Sequence, residues 1–141
     1  MTQLDDLYRR VIMDHYKNPR NRGKFEEDTV VVDLNNPTCG DRISLQLKLE
    51  DGVVKDARFT GEGCSISMSS ASMMTEAVKG RKLEEALDFA DRFSSLMKGE
   101  DVTFDDYEDL EALSGVSKFP ARIKCATLAW NALRKGIDHD D

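Results

Sequence analysis

Long apolar runs are missing from this chain. Nowhere do apolar residues approach the roughly 20 in succession that a membrane span needs. The first residues, Met1-Thr2-Gln3-Leu4-Asp5-Asp6, are acidic and lack the apolar core of a secretory signal. Both absences point to the cytoplasm and away from membranes. An excess of basic charge is missing too. Twenty Lys and Arg stand against 27 Asp and Glu, a net charge of −7. That balance disfavours nucleic acid or an anionic membrane as the main partner and favours a partner with a basic surface. Cysteine is scarce. The three thiols cannot all pair within the chain, and a reducing compartment disfavours disulfides. There is no Cys-x-x-Cys pair, no internal repeat and no low-complexity linker. What remains is 141 residues, 40 % hydrophobic and 33 % charged, the make-up of one globular domain over 1–141.

Thr2 is suited to cap a first helix, in which Leu4, Leu7, Tyr8, Val11 and Ile12 recur at helical spacing until Asn18-Pro19 stops it near Lys17. His15, near its end, reads as a polar histidine favoured by the helix dipole. Val30 to Leu34 is β-branched and short, a first strand. Ile43, Leu45, Leu47 and Leu49 alternate with Ser44, Gln46, Lys48 and Glu50, a strand with one face in the core. Asp51-Gly52 is a hairpin turn, and Val53 to Thr60 returns as a third strand.

A helix rich in small residues and methionine follows Cys64 and closes at Gly80. Leu83, Ala86, Leu87, Ala90, Phe93 and Leu96 mark another amphipathic helix. The segment from about Gly99 to Lys118 carries seven acids, the pattern of a solvated face. Its Phe104, Tyr107, Leu110 and Leu113 predict a short helix docking back on the body. Pro120 suits the first turn of a last helix, with Ile123, Ala126, Trp130, Leu133 and Ile137 as its buried stripe. His139 lies in an acidic tail, with no specific role. These elements predict an α+β fold, a three-stranded antiparallel sheet with helices packed mainly on one face.

The chemistry concentrates in three stretches: Asn36-Pro37-Thr38-Cys39-Gly40-Asp41, Gly61-Glu62-Gly63-Cys64 and Arg122-Ile123-Lys124-Cys125. Hairpin geometry puts the residues before Arg42 and after Thr60 at the same end of the sheet, so Cys39, Asp41 and Cys64 gather there. Helix-start N–H groups would stabilise a thiolate at Cys64. Each cysteine also has a plain reading as a small buried hydrophobe, Cys125 above all. Taken together, three thiolates and one carboxylate form a closed tetrahedral set for Zn²⁺, or a set that could nucleate an iron–sulfur cluster. The hard carboxylate is the weak member of a soft set, so such a site can be opened.

With these motifs in this order, the chain resembles the IscU/NifU-like scaffold superfamily, most nearly its SufU branch. The resemblance runs from Asp14-His15-Tyr16-Lys17-Asn18-Pro19 to the last helix and includes Cys64-Ser-Ile-Ser-Met-Ser-Ser-Ala-Ser. IscU-type members carry a histidine before the third cysteine, where this chain has Lys124. They carry Leu-Pro-Pro-Val-Lys where it has Phe119-Pro120-Ala121-Arg122-Ile123, and they lack the acidic segment near 99–118. The resemblance implies a zinc-dependent sulfurtransferase in iron–sulfur cluster assembly. By motif match, Cys39, Asp41, Cys64 and Cys125 would bind zinc. Cys39 would accept persulfide sulfur from a SufS-type, pyridoxal-phosphate cysteine desulfurase, whose histidine would replace it on the zinc. Arg122 would help engage that enzyme, and a SufBCD-type assembly complex would receive the sulfur. The alternative is a non-enzymatic iron–sulfur cluster scaffold using the same ligands.

Overall fold

The computed structural model describes residues 3–26, 29–37 and 40–139, with side chains from 6 to 138 within them. The expected cap at Thr2 and the side chain of His139 lie outside the described residues. Among the described residues, four α-helices and three strands run in the order α1 (Gln3–Lys17), β1 (Val30–Asn36), β2 (Asp41–Glu50), β3 (Val53–Glu62), α2 (Ser65–Val78), α3 (Leu83–Met97) and α4 (Pro120–His139). A 3-10 helix, Glu108–Lys118, lies between α3 and α4.

The strands form one antiparallel sheet in the order β1-β2-β3, so the expected α+β fold is what the chain adopts. The alternation seen in β2 decides its two faces: Ile43, Leu45 and Leu47 are buried, and Arg42 is exposed. In register, Leu45 lies opposite Phe59 and Leu47 opposite Ala57, so β3 turns its buried residues to the same side. The β2–β3 turn has positive φ at both Asp51 (53°) and Gly52 (73°), the conformation a two-residue type I′ hairpin requires.

On the buried face sit α2 and α4. α2 is apolar and small all round, with Ser67 to Thr75 buried without a break, so it lies in the middle of the molecule. Its hydroxyls are satisfied within the core. Ser70 Oγ donates to the Ala126 carbonyl at 2.6 Å and accepts from Trp130 Nε1 at 3.2 Å, tying α2 to α4. Trp130 stacks on Phe93 of α3 with centroids 5.0 Å apart. Small side chains on α2 are what let α4 come this close.

The acidic segment behaves as its apolar residues predict, but as a 3-10 helix. Phe104, Leu110, Leu113 and Val116 are buried, while most of its acids face water. His15 corrects the sequence expectation. It is only 1 % exposed and belongs to a relay that holds the segment down. Asp109 Oδ2 lies 2.8 Å from Nε2, and Ser72 Oγ lies 2.7 Å from Nδ1. A carboxylate only accepts, so Nε2 donates to Asp109, while Nδ1 and the Ser72 hydroxyl share the second hydrogen bond. Ser72 Oγ in turn accepts the Arg20 amide at 2.8 Å.

Candidate metal centre

Asp41 opens β2, directly opposite Asn36 at the end of β1. Cys64 follows β3 by two residues and is the N-cap of α2, its Sγ accepting the Ser67 amide at 3.5 Å. A sulfur at a helix start receives a free N–H and faces the positive end of the helix dipole. Cys125 sits in the second turn of α4, buried, with its thiol 3.9 Å from the Ala121 carbonyl. The Ser70–Ala126 hydrogen bond anchors α4 at the residue beside it. Sheet end, helix cap and helix turn thus converge. One carboxylate oxygen of Asp41 and the sulfurs of Cys64 and Cys125 all lie within 4.8 Å of one another.

The two oxygens of Asp41 differ. Oδ1 accepts the Cys64 amide at 3.1 Å and the Ser67 hydroxyl at 3.2 Å. Oδ2 is buried and has no hydrogen-bond partner among the described residues. A buried carboxylate oxygen left unpaired is costly, and a cation is the partner that suits it. Two soft sulfurs and one hard oxygen within reach of one point match the donor set of Zn²⁺. The residues present fit such an ion.

Arg122 is exposed, and its guanidinium is pushed further above its ordinary range. Electrostatic attraction to Cys64 is the first cause, followed by a hydrogen bond to its sulfur and then attraction to Cys125. Arg122 therefore brings a fixed positive charge to these two sulfurs. Lys124, in the position before Cys125, is exposed. Cys39 lies outside the described residues. Beside it in the sequence, the Gly40 amide donates to the Asn36 carbonyl at 2.9 Å, and Gly40 has φ 74°. Two further residues bear on the centre: Gly63, within the Gly61–Cys64 stretch, and Ser67, three residues past Cys64. A serine three residues past a helix-capping cysteine is a first-turn pattern and was readable as such. The need for glycine at 63 was not, because it arises from contacts across the fold.

Residues 7–139 match the model of the NifU-like N terminal domain. The chain is 61 % identical over 139 residues to the zinc-dependent sulfurtransferase SufU of Bacillus subtilis, covering 98 % of this chain and 94 % of that one. It is 48 % identical to the iron–sulfur cluster assembly scaffold protein IscU of Streptococcus pyogenes, covering 97 % and 86 %. Among solved structures it superposes with TM-score 0.85 and 29 % identity on a SUF-system scaffold candidate from Fervidobacterium islandicum AW-1, over 90 % of this chain and 93 % of that one. The chain belongs to the NifU-like N-terminal domain family, as a SufU-type member of its IscU/NifU-like iron–sulfur cluster assembly proteins. No helix among the described residues is long and apolar enough to cross a membrane.

Proposed function

We propose that this protein is a zinc-dependent sulfurtransferase for iron–sulfur cluster assembly, with Cys39, Asp41, Cys64 and Cys125 as the metal ligands and Cys39 as the sulfur acceptor. The observation that carries the reading is the meeting of buried Asp41 and Cys125 with half-buried Cys64, all within 4.8 Å of one another, with Asp41 two residues along the chain from Cys39. Zinc, when bound, holds thiols deprotonated at neutral pH. The chain does the rest. Asp41 is the weak ligand that leaves the set easy to open, and the Cys64 cap and Arg122 stabilise negative charge around it. The Cys39 thiolate would attack the outer sulfur of a desulfurase persulfide. The S–S bond breaks, the desulfurase cysteine leaves as thiolate, and Cys39 keeps the transferred sulfur, with no net oxidation.

The donor is a SufS-type, pyridoxal-phosphate cysteine desulfurase, which Arg122 helps engage, and the recipient is a SufBCD-type complex. Residues 1–141 act as one IscU/SufU-like domain in the cytoplasm, with the acidic stretch near 99–118 as an insertion. A second reading, a scaffold that builds a cluster on the same ligands, draws on the 48 % identity to an IscU scaffold. Lys124, where IscU-type members carry histidine, favours the transferase.

Incubating the zinc-loaded chain with desulfurase and cysteine, followed by peptide mass spectrometry, tests the assignment. Added sulfur is expected on Cys39, and Cys39→Ser abolishes stimulation of the desulfurase. An active desulfurase that leaves Cys39 unmodified would falsify the transferase reading. Anaerobic purification separates the two readings, since a stoichiometric, transferable cluster supports the scaffold and tightly held zinc supports the transferase.

A further inference from the structure

We propose that Ser67 is a positioning residue of the metal centre, and that Gly63 is glycine because it must leave room for it. The proposal rests on the metal-binding reading above and extends it to residues outside the ligand set. Ser67 stands in the first turn of α2 and is 2 % exposed. Its amide donates to Cys64 Sγ at 3.5 Å. Its hydroxyl has two acceptors in reach, Asp41 Oδ1 at 3.2 Å and the Cys64 carbonyl at 3.1 Å. The charged acceptor makes the stronger bond, so the proton goes to Asp41. One side chain and its own amide thereby grip two members of the ligand set.

The consequence is a carboxylate with unequal oxygens. Oδ1 is engaged by two donors, and Oδ2 is left for the metal alone. Asp41 becomes a single-oxygen ligand held at a fixed angle. That would favour binding of a metal through one oxygen, whereas a carboxylate free to turn can offer both oxygens. Gly63 points to the same pair of atoms. A Cβ there would come within 2.3 Å of Ser67 Oγ and 2.5 Å of Asp41 Oδ1, far inside contact distance. Its φ is not in the left-handed region, so the backbone does not require glycine at 63. Space for the Ser67–Asp41 bond does.

The experiment uses the full chain, stripped of metal, in four forms: wild type, Ser67→Ala, Ser67→Thr and Gly63→Ala. Zinc affinity is read by competition with a chelator of known strength, and coordination number by the ligand-field spectrum after loading Co²⁺. Circular dichroism of each metal-free form verifies its fold. Ser67→Ala and Gly63→Ala are expected to weaken zinc binding about tenfold or more. Their Co²⁺ spectra move from four- towards five-coordinate, and Ser67→Thr, which keeps the hydroxyl, returns both readouts towards wild type. Should Ser67→Ala fail to fold, Gly63→Ala decides, since it displaces the same bond without deleting a donor. Wild-type zinc affinity and a wild-type Co²⁺ spectrum in the deciding variant overturn the positioning role while leaving the metal centre intact. A wild-type chain that takes up no zinc overturns the metal reading and this proposal with it.

Discussion

Replacing Asp41 by Asn separates the metal's contribution to stability from the rest of the fold. Asn has nearly the same shape. Its Oδ1 can keep both donors, the Cys64 amide and the Ser67 hydroxyl, and this puts its Nδ2 in the place of the unpaired Oδ2. An amide nitrogen with two protons donates and does not ligate. In the wild type, free zinc at a hundred times its Kd adds about 2.7 kcal/mol. In a chain of this length each kcal/mol moves the melting temperature by roughly 3–5 °C, so zinc raises it by roughly 10 °C. Loss of a direct ligand weakens binding at least as much as loss of an outer partner, about 100-fold at the upper end. At the same zinc concentration the variant then gains only about 0.4 kcal/mol, or roughly 2 °C. Without metal the order reverses or levels. A neutral amide in this fully buried position is cheaper than a carboxylate with an unpaired oxygen, so the variant melts at or above the wild type. Paired thermal melts with chelator and with buffered zinc read all four values. An equal zinc-induced rise in both proteins, or a metal-free variant well below metal-free wild type, refutes the reasoning.

Three further outcomes concern the scaffold around the centre. Ser70→Ala strands the buried Trp130 indole N–H and removes a donor from the Ala126 carbonyl, costing about 1–3 kcal/mol. Urea unfolding should show a lower midpoint at unchanged slope, and an unchanged midpoint contradicts the role given to this contact. His15→Ala cuts the link from Ser72 to Asp109, so backbone amides of 108–118 should exchange with deuterium faster than in the wild type, while those of β2 stay unchanged. Equal protection to wild type across that segment means its apolar residues alone hold it. Asp106 is held below the ordinary carboxylate range by a hydrogen bond from Arg92. A depressed folded value adds stability above the unfolded pKa, and that stability is lost as pH falls below about 3.8 through the folded value. Both partners are partly exposed, so screening limits the effect to about 1 kcal/mol or less. Asp106→Asn should lose correspondingly less stability between neutral and acidic pH, and an identical pH profile removes the pair from the account.

Local pattern alone determined the elements of this protein. The Ile43–Glu50 alternation, the Asp51-Gly52 turn and Pro120 at a helix start are short-range signals, and each structure they predict is present. The hairpin even brought Asp41 to Cys64, because antiparallel pairing makes residues remote in the chain neighbours at a sheet end. Four features were decided only by the packed chain. Cys125 reaches the centre because small residues on α2 admit α4 closely enough for the Ser70–Ala126 bond. His15 is a buried relay, since its partners lie 57 and 94 residues away and no local preference encodes them. The segment 108–118 docks as a 3-10 helix with Leu110, Leu113 and Val116 in the core, a helix type that its sequence pattern left open. The inequality of the Asp41 oxygens depends on a hydroxyl 26 residues on and on the missing side chain of Gly63. Periodicity and turn chemistry act over a few residues and can be read along the chain, whereas ligand geometry depends on which surfaces meet once the core has closed.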